Sequence, residues 1–219
     1  GTGDTLTETF TVRSVDGTTS TVVVTINGTN DAAVISSDTG SVTEDVSVAA
    51  GRIATGGTLT VTDVDSGEAV FQPQASTAGT YGTFTLAADG TWSYSALNAN
   101  PAIQALGTGD TLTETFTVRS VDGTTSTVVV TINGTNDTAV ISAGTGAVTE
   151  DVSVSAGRIA TGGTLTVTDT DSGEAAFQPQ ASTAGTYGTF TLAADGTWSY
   201  SALNANPAIQ ALGTGDTLT

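Results

Sequence analysis

The chain has 219 residues, with 22 Asp and Glu against four basic residues, all of them Arg, and a net charge of −18. It holds no Cys, His or Met, which removes disulfides, thiol chemistry and the commonest ligands of zinc, haem and copper. So acidic a chain repels nucleic acid and anionic membrane, neither of which is an expected partner, and no apolar run is long enough to span a bilayer.

Residues 107–137 repeat residues 1–31 without change, and the copying continues at an offset of 106 to the end. Of the 113 comparable positions (219 − 106), seven differ: Ala32/Thr138, Ser37/Ala143, Asp38/Gly144, Ser41/Ala147, Ala49/Ser155, Val64/Thr170 and Val70/Ala176. A catalytic site is normally present once, so an almost unchanged copy argues for length, valency or stiffness rather than for an enzyme. The chain reads as an internal piece of a longer array, in three parts. Residues 1–31 are the last two strands of one repeat, 32–137 a complete repeat, and 138–219 a further repeat lacking its last two strands.

Taken in chain order, the complete repeat begins with strands over Ala33–Ser36 and Thr43–Val48. Thr58-Leu59-Thr60-Val61-Thr62 alternates, with Leu59 and Val61 on one face, as a half-buried antiparallel strand does. A strand over Ala69–Gln72 comes next. Thr83–Tyr94 reads as a hairpin, with alternating apolar residues on both sides of an Asp89-Gly90 turn. Pro101–Leu106 forms one helical turn after Asn100, and strands over Leu112–Val118 and Thr127–Ile132 close the repeat. Seven or eight short strands in about 106 residues predict an all-β fold of tandem antiparallel β-sandwiches of the immunoglobulin and cadherin type.

Glu114, and Glu8 in the first copy, break the alternation. Each shares the parity of its apolar neighbours and should point towards the core face. Two readings stand: a bulge or solvated rim position, or a buried cation ligand or hydrogen-bonded acid. The remaining acids sit in turns or at strand edges: Asp4, Asp16, Asp31, Asp38, Glu44-Asp45, Asp63, Asp65, Glu68 and Asp89, repeated 106 residues on for all but Asp38. Asp63-Val64-Asp65-Ser66-Gly67-Glu68 alternates carboxylates on one side of an extended backbone, which offers hard oxygen ligands to Ca²⁺. It is not an EF-hand loop, because the glycine is fifth and the twelfth residue is Gln74.

Glu44 to Gly67 resembles the cadherin pattern of a Glu in the first strand followed by strand-Asp-x-Asp-x-Gly. Phe116–Gly123, the final Val-rich strand and the linkers Thr29-Asn30-Asp31 and Thr135-Asn136-Asp137 resemble its other elements. Gly79–Phe84, Asp89–Tyr94, Asn100–Leu106 and Asn133–Asp137 are similar to the VCBS family, cadherin-like repeats in the stalks of bacterial RTX adhesins. The resemblance covers the whole repeat. It implies Ca²⁺-bound β-sandwiches exported by type I secretion to the bacterial cell surface, where they act in adhesion and biofilm formation. It also implies a ligand set: Asp63, Asp65 and Asp122 beside Asn30 and Asp31 at the leading end, with Glu44 at the trailing end facing Asp137, Asp169 and Asp171. Asn136, Glu150 and Asp16 join that set, followed by Glu68, Glu174 and Glu114. The chain departs from cadherin at Gly28 and Ala32, where cadherin places ligands, and at Leu97-Asn98, which replaces an acidic motif. One or two ions per junction are therefore expected rather than three.

The implied partners are neighbouring identical repeats. The phase of the cut adds a further expectation. Residues 1–31 match what the last repeat lacks, so one chain's hairpin can complete another's sandwich, head to tail or as a swapped dimer. The rival functional reading is a ligand-binding adhesive module. Lesser signals point to structure. Asn27-Gly28-Thr29 and Asn133-Gly134-Thr135 fit a glycosylation pattern but read as linker turns, Gly107-Thr108-Gly109-Asp110 lacks the Lys of a phosphate loop, and Trp92 with Tyr94 reads as core.

Overall fold

The structure, a computed structural model, describes all of residues 1–219. The chain divides into two compact units, one of Gly1–Gln104 with Thr108–Thr135 and the other of Ala105–Gly107 with Asn136–Thr219. In the first, a hairpin of β1 (Thr5–Arg13) and β2 (Thr19–Asn27) leads into β3 (Val34–Ile35), β4 (Asp38–Thr43), β5 (Arg52–Thr58) and β6 (Val61–Thr62). Then come β7 (Gln74–Ala78), β8 (Gly82–Leu86), β9 (Thr91–Leu97), the single turn α1 (Pro101–Gln104), β10 (Thr111–Arg119) and β11 (Thr125–Asn133). The second unit holds β12 (Val140–Ile141), β13 (Arg158–Thr164), β14 (Val167–Thr168), β15 (Gln180–Ala184), β16 (Gly188–Leu192), β17 (Thr197–Leu203) and α2 (Pro207–Gln210).

The complete repeat is a sandwich. One sheet has the order β5-β9-β8-β7, antiparallel throughout. The other has the order β10-β11-β4, with β4 parallel to β11, and the segment 70–72 runs along β10 through Gln72 N to Arg119 O at 2.8 Å and Val121 N to Val70 O at 3.0 Å. Period-two alternation brings Phe116 and Val118 of β10 and Val128, Val130 and Ile132 of β11 inward, against Phe84, Leu86, Trp92 and Tyr94. Phe84 stacks on Phe116 with ring centroids 4.7 Å apart.

The predicted hairpin forms as β8 and β9 around Asp89-Gly90. Gly90 has a φ of +88°, and a Cβ there would collide with the Leu59 carbonyl. The helical turn also forms, with Asn100 Oδ1 accepting from Ala102 N at 3.0 Å. Three expectations are corrected and one strand was not foreseen. Thr58–Thr62 is not one strand but the end of β5 and the short β6, and Ala69–Gln72 makes only an isolated bridge from Phe71 to Ser120. The strand placed at Thr43–Val48 lies earlier, over Asp38–Thr43, and Glu44–Val48 is a turn with Asp45 and Ser47 at φ near +55° (56° and 55°). The strand Arg52–Thr58 was hidden by Gly56-Gly57, which carry little strand propensity. Both glycines are required by close approach, since a Cβ on Gly57 would stand 2.5 Å from Asp38 Oδ2 and 2.9 Å from the Trp92 indole nitrogen.

The second unit has the matching four-stranded sheet, β13-β17-β16-β15, and the small β12-β14 pair, but no strands opposite them. Residues 144–149, which copy Asp38–Thr43 with two differences, are not a strand there. In the first repeat those residues are held by β11, so without that partner the strand does not form.

Candidate metal centre

At the leading end of the complete repeat, the Asp-x-Asp loop folds its backbone onto its own first carboxylate: Asp65 N donates to Asp63 Oδ1 at 2.8 Å. Asp31 N, from the preceding segment, donates to Asp65 Oδ2 at 2.8 Å, and Ala33 N donates to Asp122 Oδ2 at 3.0 Å. Four carboxylates, Asp63, Asp65, Asp122 and Glu68, thus gather around one point of chain entry. Burial, then the charges of Asp65 and Asp63, push the Glu68 carboxyl up. Hydrogen bonds from Ser120, Ala33 and Thr124 hold Asp122 well below the usual carboxylate range, and those from Asp31 N and the amino terminus lower Asp65.

A positive group already sits in this cluster. The Gly1 ammonium lies 2.9 Å from Asp65 Oδ1 and 2.9 Å from Asp4 Oδ2, contacts with Asp4 first and Asp65 second that raise its pKa to about 10. The second repeat has the same contacts between its linker and its Asp-x-Asp loop. Asp137 N donates to Asp171 Oδ2 at 2.8 Å and Asp171 N to Asp169 Oδ1 at 2.9 Å, while Gly107 approaches Glu174. Asp171 is 2% exposed, and its Oδ1, the counterpart of the oxygen that holds the ammonium, is buried with no hydrogen-bond partner. Asp63 Oδ2 and Glu150 Oε2 are orphaned in the same way. Buried anionic oxygens without donors are costly, and a hard cation satisfies them. The residues therefore fit Ca²⁺ in kind and charge, although no three carboxylates converge at metal-ligand distance.

The other expected ligands lie elsewhere. Glu44 is 1% exposed at the opposite end of the repeat, where Thr135 N donates to its Oε1 at 2.8 Å. Beside it, Asn98 clasps Asp45, its Oδ1 accepting from Asp45 N at 2.9 Å and its Nδ2 donating to Asp45 Oδ1 at 2.6 Å. Asn98, which stands where the cadherin motif is acidic, is thus a turn anchor that sequence reading did not credit. Asn30 and Asn136 each donate their side-chain amide to the next residue's carbonyl. Asp16 accepts only from Ser14 and Thr18 within its own exposed turn.

Glu114 is the hydrogen-bonded acid of the two readings. No bulge interrupts β10. The carboxylate is 6% exposed and accepts from Tyr81 N at 3.0 Å and from the Tyr94 hydroxyl. Burial, and then that bond, push the ionisation of Tyr94 up. Replacing Glu114 with alanine strands a buried amide and a buried phenol. A loss of about 3 kcal/mol from the first unit, with calcium uptake unchanged, is the expected result in a denaturant titration followed by calorimetry. Lost uptake would return Glu114 to the ligand set.

Residues 30–134, just under half of the chain, match the family model described as the bacterial cadherin-like domain. No curated protein matches. Among solved structures, PcdhgB3 EC1-4 is 11% identical with a TM-score of 0.39, over 90% of this chain and 55% of that one. The Protocadherin GammaB4 extracellular domain is 15% identical with a TM-score of 0.40, over 91% of this chain and 31% of that one. The chain therefore spans about half the length of the first and about a third of the second. The complete repeat, with its Asp-x-Asp loop at the head of a two-sheet sandwich, is thus similar to the bacterial cadherin-like domain over residues 30–134.

Proposed function

We propose that the chain is a segment of calcium-rigidified extender repeats in a large bacterial cell-surface adhesin of the RTX type, serving adhesion and biofilm formation without catalysis. The observation that supports this reading is a buried carboxylate oxygen with no partner in each Asp-x-Asp loop, Asp63 Oδ2 in one repeat and Asp171 Oδ1 in the next. Asp31, Asp63, Asp65, Asp122 and Glu68 would hold the ion in one repeat, and Asp137, Asp169, Asp171 and Glu174 in the next. Bound there, Ca²⁺ supplies charge neutralisation. Two carboxylates about 5 Å apart at an effective dielectric of about 20 repel by roughly 3 kcal/mol, which the cation reverses.

The chain's own contribution is to tie the linker to the domain. Asp31 N and Asp137 N already anchor on Asp65 and Asp171, so fixing those carboxylates fixes the backbone entering each repeat. A repeated module with a stiffened entry adds length, which suits the near-identity of the copies. Small-angle scattering with calcium and with EGTA tests this. A maximum dimension that shrinks or blurs on chelation is expected, and a profile indifferent to calcium overturns the reading.

A further inference from the structure

β10 forms one edge of its sheet, and only part of that edge is covered. The segment 70–72 lies along its far end, where Gln72 N donates to Arg119 O, and the Gln74 side-chain amide donates to Thr117 O at 2.9 Å. The chain then crosses into the opposite sheet as β7. Backbone polar groups of a strand point to alternate sides, so the N–H and C=O of Thr113 and Thr115 project outward as those two carbonyls do, with no strand beside them. They face a slot of about 470 Å³ between β7 and β10, with Gln74 and Thr77 on one wall, Thr113 and Thr115 on the other, and Glu114 and Phe116 also lining it.

Two observations set this edge apart. Edge strands usually carry a bulge, a proline or a lysine that blocks a further strand. β7 follows that rule, with a register shift between Gln74 and Thr77, whereas β10 pairs without interruption from Thr111 to Arg119 and has only threonine at alternate positions from Thr111 to Thr117. The second observation is charge. Glu114 is the one acidic residue lining the slot, and no basic residue lines it. A Cβ on Gly79 would collide with the Glu114 carboxylate and lie 2.9 Å from the Phe116 ring, so the loop beside that carboxylate stays bare. The two carboxylate oxygens accept from Tyr81 N and from the Tyr94 hydroxyl, which leaves each a further lone pair.

We propose that this edge takes up an extended peptide segment of a partner protein, which adds a strand along Thr111–Thr117 and places a basic side chain opposite Glu114. Main-chain hydrogen bonds to Thr113 and Thr115 hold the segment, and the acidic slot selects its charge. A second copy of this chain suits the slot less well, since it carries a net charge of −18 and no Lys. The site shares no residue with the Asp-x-Asp loop and stands whether or not the repeat binds calcium.

The probe is a peptide of about seven residues with blocked ends, alternating threonine and valine with lysine at its centre. Titration calorimetry with the full chain should register binding that falls roughly tenfold or more when the peptide amides on the pairing edge are N-methylated, and by a similar factor when the central lysine is replaced by glutamate. Thr115→Pro removes an outward N–H and spares the ladder to β11, at a position where an edge strand tolerates proline, and should also cost roughly tenfold. Thr9→Pro, the same change in the copied hairpin, should leave binding as it was. By NMR, the Thr113 and Thr115 amides should gain protection from hydrogen exchange when the peptide saturates the chain. No uptake of the lysine peptide overturns the proposal. So does uptake that is indifferent to N-methylation, to the central charge or to Thr115→Pro, or that Thr9→Pro weakens as much as Thr115→Pro. A peptide-free chain whose mass doubles with concentration, and loses that doubling in Thr115→Pro, makes a second copy the occupant and overturns the partner segment.

Discussion

Truncating Trp92 to alanine is expected to cost the first unit about 4 kcal/mol, while the same change at Trp198 costs the second unit less than half as much. Trp92 is 2% exposed, stacks on Phe84 at 5.9 Å and donates its indole N–H to Asp38 Oδ2 at 2.8 Å. It also fills the approach of two strands, because a Cβ on Gly40 would lie 2.6 Å from its ring. Removing it opens a cavity between sheets that are held in place by β10 and β11 and cannot collapse, the condition under which aromatic truncation costs most. Trp198 sits in the same sequence but at 9% exposure, on an uncovered sheet, with Gly144 in place of the acceptor Asp38. Part of its surface already meets water, so less is lost. Urea titrations of dilute protein followed by circular dichroism check this, and equal losses at the two positions would show that the second unit buries its tryptophan in a closed sandwich after all.

Calcium at a concentration about 100-fold above its Kd should stabilise each binding repeat by about 2.7 kcal/mol. For a domain of this size that is a rise in Tm of roughly 10 °C or more. Asp63→Asn combined with Asp65→Asn should remove the shift for the first unit, and Asp169→Asn with Asp171→Asn for the second. The largest gains per residue are expected at Asp63 and Asp171, where an oxygen that has no donor acquires a cationic partner. Identical melting curves in calcium and in EGTA, with no heat of binding, would remove the metal from the account.

Much of the fold was legible locally. The Asp89-Gly90 hairpin, the turn after Asn100 and the two long Thr-Val strands each carry their own periodicity or turn chemistry, and they form where that pattern places them. Arg52–Thr58 did not announce itself, because its strand exists through pairing with β9 and through the room its glycines leave for Trp92, both contacts with residues far along the chain. Glu44–Val48 looked like a strand by composition, but Asn98 and the left-handed positions Asp45 and Ser47 bend it into a turn. At the candidate site, Asp63 and Asp65 lie with Asp122 and Glu68 near the backbone amide of Asp31, and whether they are ligands is what the calcium titration decides. Asp16 and Glu114 show the limit of that reading. Asp16 accepts from Ser14 and Thr18 within its own exposed turn, and Glu114 from Tyr81 N and the Tyr94 hydroxyl, so neither lies beside the Asp-x-Asp loop.

By itself the amino-acid sequence determined the β architecture, the repeat length and the acidic loop, since alternation, turn residues and charge spacing are properties of neighbours along the chain. It could not say whether Thr5–Asn27 is core or surface, because those residues are identical to Thr111–Asn133 and differ only in what lies opposite. That was decided by tertiary structure. An apolar strand face becomes a core only when a second sheet excludes water from it, and in this chain one of the two identical hairpins has that sheet and the other does not.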